Sequence, residues 1–372
     1  MPTTDQNENA TPPIIWDLPL RLFHWTMVAS VSVAAITGYF LPDWWLNVHA
    51  YAGYVLGALL IFRVIWGVVG SKYSRFKIFP LKTGQAKSHL ANLLRGRSDP
   101  YTGHNPIGAW MIVLLLASLA ALVVTGLVVW GGQENNGPLS AVVGYRLGSF
   151  TEEIHEFFAG FVMTLIGIHL VGVLVETAIF KHRIVPAMIN GRKPAIQAEN
   201  PVTVWHNLFG GLVFASVIAG IVYLAATVGV SQAKTIQLPE VYRQECGDCH
   251  SVYHPSLRTA QSWQAVMNRL SDHYGEDASL AEQKAAQITV FLKDNDADHF
   301  DTEAAHKIGR AASPDDRMTE TRFWRKKHDD FKPEAFKHKA VGSKVNCNAC
   351  HKDAETGRFD DARIEIPKGV KS

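Results

Sequence analysis

The segment Thr151–Phe180, TEEIHEFFAGFVMTLIGIHLVGVLVETAIF, is apolar enough and long enough to cross a bilayer as a helix. It also carries His155 and His169, fourteen residues apart. At about 1.5 Å of rise per residue that is roughly 21 Å along the axis. Two heptads return a helix to nearly the same face, with about 20° of drift each. Both imidazoles therefore point one way, one near each edge of a hydrocarbon core about 30 Å thick. Ionisable side chains inside a bilayer are expensive and mark function, and imidazole is a common ligand of iron. The competing reading is a pair of helix-packing hydrogen bonds. One histidine leaves the two readings level. Two on one stripe, with matching partners on other spans, favour ligation.

The rest of the chain divides around that stretch. Mean hydropathy near zero hides long apolar runs over residues 14–230 and a polar, charged remainder over 231–372. That contrast implies a membrane domain followed by a soluble one. The net charge of +2 says little about partners. All four cysteines fall in two copies of one motif, Cys246-Gly-Asp-Cys249-His250 and Cys347-Asn-Ala-Cys350-His351. A lone CxxC would read as zinc-binding or redox-active. With histidine directly following in both, the pattern is that of c-type haem attachment.

In order along the chain, residues 1–13 read as a disordered polar tail. It lacks the basic n-region and short apolar h-region of a cleaved leader, so the first span is expected to act as the targeting signal. Spans are expected over about Leu20–Leu41, Val48–Gly70, Pro106–Gly131, Thr151–Phe180 and Val204–Val230. Seven basic residues occupy the loop at 71–105, and Lys181, Arg183, Arg192 and Lys193 follow the fourth span. The positive-inside rule puts both loops and the N-terminus in the cytoplasm. Five spans then deliver the C-terminal region to a bacterial periplasm, where c-type haem is attached. Residues 231–239 read as a tether and 240–372 as the soluble domain.

That topology pairs the histidines by depth: His24 with His169, and His49 with His155. Each pair can clamp one haem iron from opposite faces. Bis-histidine ligation leaves no open iron position, which favours electron transfer. Arg63, fourteen residues after His49, can meet a haem propionate or snorkel to the surface. Arg21 is a weaker candidate of the same kind. His104 and His206 open helices as GHNPIG and WHNLFG and read as interfacial caps or quinone-side contacts. His89 and His182, in basic loops, read as solvated. No nucleotide-binding or nucleophile-elbow pattern is present.

WDLPLRLFHW, RVIWGVVGSKYSRF, HNPIGAWMIVLLLASLAALVVTG and the two-histidine span resemble the bacterial cytochrome b561 family, which includes membrane cytochrome b subunits of nickel–iron hydrogenases. The resemblance covers residues 14–230. It implies two b haems on His24, His49, His155 and His169, and electron exchange with quinone.

In the soluble domain, SWQAVMNRLSDHYG (262–275) reads as one amphipathic helix whose face extends to His273. RFWRKKHDDF places Trp324, His328 and Phe331 at helical spacing. His273 and His328 are therefore the expected sixth ligands, opposite His250 and His351. His254, His299, His306, His338, Met267 and Met318 compete for that role. CGDCHSVYHPSL, SWQAVMNRLSDHYG, the WRKKH segment and CNACHKDAETGRFDD resemble the dihaem cytochrome c family, over about residues 238–367.

The expected fold is all-α: a five-helix membrane bundle and a small helical dihaem domain. The expected activity is quinol:cytochrome c-type electron transfer through two haem b and two haem c. Reversed flow from a periplasmic dehydrogenase, or an anchor role within a larger complex, are the alternatives. Expected partners are membrane lipid, quinone and a periplasmic cytochrome or redox protein. A homodimer is compatible with the sequence, and no nucleic acid is implied. The quinone pocket is expected near Arg21, Arg63 and His104.

Overall fold

The computed structural model describes residues 12–98, 100–193, 202–228, 234–311, 313 and 317–371. Most of the expected N-terminal tail and the first part of the tether lie outside the described residues. Among those described, the fold is helical, with three isolated β-bridges and no strand. The chain forms two compact units.

The first unit comprises Met1–Tyr39, Val48–Gly126 and Glu153–Thr227. It holds most of the residues of helices α1 (Leu18–Tyr39), α2 (Leu46–Val69), α4 (Pro106–Gly132), α5 (Tyr145–Leu174) and α7 (Val204–Val228). All five are long and apolar enough to cross a membrane. Two shorter helices, α3 (Thr83–Leu94) and α6 (Ile184–Asn190), lie in its loops. The starts of α1 and α4 are set by side-chain caps, which satisfy N–H groups that a helix terminus leaves orphaned. The Asp17 carboxylate accepts from Leu20 N–H at 2.8 Å, and Asn105 Oδ1 accepts from Gly108 N–H at 2.6 Å. Helix α6 stops at Gly191, whose φ of 78° is the left-handed cap that glycine adopts without a Cβ clash. A core of Ile15, Trp16, Leu20, Phe23, Leu59, Phe62 and Trp66 locks α1 to α2. Leu170, Val171, Leu212 and Tyr223 stand exposed on the other helices, as expected of side chains solvated by lipid.

The fourth span begins at Tyr145, six residues before the expected Thr151, and ends in a π-turn over Val175–Ile179. Single π-turns inside α-helices often accompany functional sites.

The second unit comprises Phe40–Asn47, Leu127–Glu152 and Val228–Ser372. Its helices are α8 (Glu240–Gly247), α9 (Ala260–Met267), α10 (Glu282–Asp294), α11 (Arg322–Lys327) and α12 (Pro333–Lys337). Leu238, Tyr242, Leu257, Trp263, Val266, Ile288 and Leu292 form its core. Residues 40–47 and 127–152 are fixed to the C-terminal part by polar contacts. Lys327 Nζ bridges Asp43 and Asp361 at 2.8 Å each, and Asn47 donates to Ala362 O at 2.7 Å. Asn136 donates to the buried Asp360 at 2.6 Å.

The helix expected over 262–275 is not continuous. Helix α9 ends at Met267, and a 3-10 turn over Leu270–Asp272 follows. The Asp272 side chain accepts from Gly275 N–H at 3.1 Å, and Tyr274 and Gly275 take positive φ of 57° and 101°. Asx-turn chemistry outcompetes the helix here. Helix α11 likewise ends one residue before His328.

Candidate functional site

Two imidazoles sharing one iron, at metal–nitrogen distances of about 2 Å, place their ring centroids about 6 Å apart. Three of the four expected pairs have that spacing. His49 and His155 lie 6.2 Å apart, His250 and His273 6.3 Å, and His328 and His351 6.1 Å. The fourth pair, His24 and His169, is close enough for electrostatic interaction, and the His24 Nδ1 is buried without a hydrogen-bond partner. No group of three or more His, Cys, Asp or Glu side chains is arranged to hold a metal ion among the described residues. The metal-binding geometry on offer is the two-histidine pair.

The second ring nitrogen decides how a ligating histidine presents itself. His49 Nδ1–H points at Ala34 O, 3.0 Å away, with Thr37 Oγ1 at 3.2 Å. His155 Nδ1 meets Thr125 Oγ1 at 3.1 Å. In both cases Nε2 is left as the coordinating atom. A glycine follows each threonine. A Cβ on Gly38 would stand 3.1 Å from the His49 ring, and one on Gly126 would stand 3.0 Å from the His155 ring. Each imidazole is thus held by a Thr-Gly pair on a neighbouring helix, Thr37-Gly38 on α1 and Thr125-Gly126 on α4. Sequence reasoning missed these residues, although the repeated dipeptide was a readable signal.

In the second unit, His250 Nδ1 bonds Ser251 O and His328 Nδ1 bonds Trp324 O, both at 2.8 Å. The His328 ring also stacks on Trp324 at 4.2 Å. Burial holds His351 at about 4, the neutral form that a metal takes. Cys246, Cys249, Cys347 and Cys350 form no disulfide with one another, and the chemistry of this donor set fits covalent haem. The two motifs meet where Ser251 Oγ donates to Asn346 Oδ1 at 2.8 Å.

The competing histidines have other occupations. His254 is fully buried, caps a 3-10 turn through Ser256, and is pushed down to about 4 by burial. His299 pairs with Asp296, and His306 with Asp301, each at 2.7 Å.

His89 and His182, expected to be solvated, are not. Both gather on the buried carboxylate of Glu176, which lies in the π-turn. His182 Nδ1 is 2.6 Å from it and His89 Nε2 3.8 Å, while Ser98 and Asn105 donate to the same group. An anion in an apolar helix end draws the polar groups of the loops inward, because an unpaired buried charge costs more than ordering them.

Arg63 is buried, donates to Ser74 O at 3.1 Å and lies 4.3 Å over the Phe76 ring. Its nearby counter-charge is Asp17. That aspartate, 0% exposed, accepts from Trp66 Nε1, Ser71 and Ser74. The sequence reading did not single it out. Arg21 donates to Ile189 O at 2.5 Å. His104 is packed between Trp16 and Phe79, and burial holds it down to about 3, helped by the charges of Arg63 and Lys193. It is a half-buried ring packed among aromatics, and the cap of α4 is Asn105. His206 does cap, through Thr203.

Two family models match the chain. The model described as "Prokaryotic cytochrome b561" matches residues 15–191, and that described as "Dihaem cytochrome c" matches residues 242–359. One polypeptide thus joins a region that matches the first family to a region that matches the second. A probable Ni/Fe-hydrogenase B-type cytochrome subunit of Cupriavidus necator is 22% identical, over 48% of this chain and 85% of its own length. The corresponding Escherichia coli K12 subunit is 26% identical, over 50% and 92%. A diheme cytochrome c from Rhodobacter sphaeroides is 35% identical, over 34% of this chain and all of its own, with a TM-score of 0.28. One from Shewanella baltica is 31% identical, over 36% and 98%, with a TM-score of 0.29. The b561–dihaem c chain is an integral membrane protein that binds haem b and haem c and transfers electrons.

Proposed function

We propose that the chain carries four haems and connects the quinone pool to a soluble periplasmic redox protein. The three histidine pairs with centroids 6.1–6.3 Å apart carry this reading. His24 with His169 and His49 with His155 hold two b haems. His250 with His273 and His328 with His351 hold two c haems, anchored through Cys246, Cys249, Cys347 and Cys350. Each haem, when bound, takes up and passes on one electron at a time. The paired imidazoles would hold the iron and leave no position open to oxygen, which suits electron transfer. The Thr-Gly pairs fix ring orientation and keep Nδ1 protonated. Arg63 and Arg21 are the proposed propionate partners. Residues 14–230 form the membrane domain and 240–372 the periplasmic one, joined by 231–239. The basic loops lie on the cytoplasmic side.

Quinol is the proposed donor, oxidised near Arg21, Arg63 and His104. With the cytoplasm negative, an electron moving outward between the b haems runs downhill by up to about 2.3 kcal/mol per 100 mV. The purified chain should give b and c haem in equal amounts by pyridine haemochrome, and quinol should reduce both types. A single b haem, or c haems that quinol leaves oxidised, would overturn the reading. The names of the hydrogenase-subunit relatives favour a second direction, in which electrons enter from a dehydrogenase and quinone is reduced. Quinone reduction by a chain whose c haems were pre-reduced, faster than the forward reaction, would select it.

A further inference from the structure

The two centres of the second unit are not equivalent. Residues 40–47 and 127–152 run into the membrane spans; the contacts of 40–47 lie around one centre, while those of 127–152 divide between Asp360 and Asp301. Lys327, neighbour of His328, is bound by Asp43, and Phe331 packs on Trp44 at 6.1 Å. Asn47 bonds Ala362, beside the Ile364 that bridges to His351. The His250–His273 centre has a different surround: Tyr253, Tyr274 and the turn to Glu276. We propose that electrons pass between the spans and the His328–His351 centre, and that the His250–His273 centre is where a soluble redox protein with a basic rim docks. This rests on the haem assignments of the proposed function and goes beyond them by ordering the two c sites and naming the docking face.

Two observations shape that face. Tyr274 is 38% exposed and stands at φ 57°, a conformation that a bulky side chain rarely adopts. Strain of that kind persists where the surrounding structure imposes it, and it clusters at functional positions. The turn places a part-exposed aromatic ring next to His273, its hydroxyl accepting from the buried Arg258 at 2.9 Å, and exposed aromatics anchor interfaces. The exposed charge around it leans negative: Asp248, Asp272, Glu276 and Asp277, against Arg269 and Arg317, whose guanidinium lies 5.1 Å over the Tyr274 ring. Around His328 the exposed charge is mainly positive, with Arg325, Lys326, Lys337 and Lys339. Opposite charge on a partner raises its encounter rate and sets its orientation. An acidic rim with a central tyrosine therefore selects a partner whose own cofactor edge is ringed by lysine. The contact through Ser251 and Asn346 joins this centre to the other.

The test uses the full chain in detergent, chemically reduced and freed of reductant, with a lysine-rimmed soluble c-type cytochrome as acceptor. Glu276→Lys with Asp277→Lys should slow the bimolecular reaction about tenfold at low ionic strength, and the difference should vanish at high salt. Lys337→Glu with Lys339→Glu should leave the rate within twofold. The opposite ranking, or two variants that both match the parent, would overturn the proposal. A haem-stained gel and unchanged spectra show that each variant is folded and loaded. Because the chain is pre-reduced, a failure of quinol to reduce the c haems would refute the quinol reading while leaving this measurement decisive.

Discussion

The two units hold imidazoles in opposite ways. In the membrane unit, His155 and His169 ride on one uninterrupted helix, and the helical period alone puts them on one face. His49 and His155 are braced from neighbouring helices by Thr37-Gly38 and Thr125-Gly126. In the second unit, His273 and His328 lie just beyond helix or 3-10 ends, on backbone shaped by turns. A bilayer forces the backbone to satisfy itself, so regular helices and small residues must do the positioning. A small domain in water has no such constraint. It can use irregular turns, provided covalent anchors hold the cofactor, and the four cysteines are the proposed anchors.

If that contrast is right, removing anchors should act differently in the two units. Replacing Cys347 and Cys350 with serine should remove one covalent haem completely on a haem-stained gel and leave b haem content unchanged. Replacing His155 with alanine should do the reverse, removing one extractable b haem and leaving the gel signal intact. Loss of both haem types from either variant would show that the units load as one, and would break the comparison.

A smaller effect tests the bracing itself. In Gly126→Val the side chain would press on the His155 ring, whose Cε1 lies 3.0 Å from the position of an added Cβ. The b haem content should fall by up to half while the c haems are untouched. Thr125→Val keeps the space but removes a hydrogen bond worth about 1 kcal/mol, so haem should be retained with its potential moved by about 50 mV. Redox titration of the b-type absorbance reads both. An unchanged titration would remove Thr125 from the bracing.

The smallest expected effect concerns pH in the second unit. Burial raises Glu303 from its usual range to about 7, with Lys327 opposing and Asp361 and Glu152 adding to the rise. The folded unit then holds a proton that the unfolded chain has released between about pH 4.5 and 7. Its stabilising contribution is fully present below that window and is lost as pH rises through it. Glu303→Gln should gain on the parent between pH 5 and 8 by on the order of 1 kcal/mol, since the group is only partly shielded from water. A melting difference that stays flat with pH would contradict this.

The all-α architecture, five spans and two c-type motifs were legible because each follows from a local rule: apolar length, helical period, or the CxxCH spacing. The His49–His155 pairing was legible because bilayer depth can be counted along a helix. The surroundings of those groups were not. Asp17 reads as one polar residue before a span, and only folding brings Trp66, Ser71 and Ser74 to it. His89 and His182 read as members of basic loops, yet they turn inward because Glu176 is buried between them. The break after Met267 was hidden because an Asx turn and a helix compete within the same few residues. Periodicity and covalent motifs are properties of neighbours in sequence, so the chain states them itself. Which polar group satisfies a buried charge depends on residues far apart in sequence, and that was decided only when the helices packed.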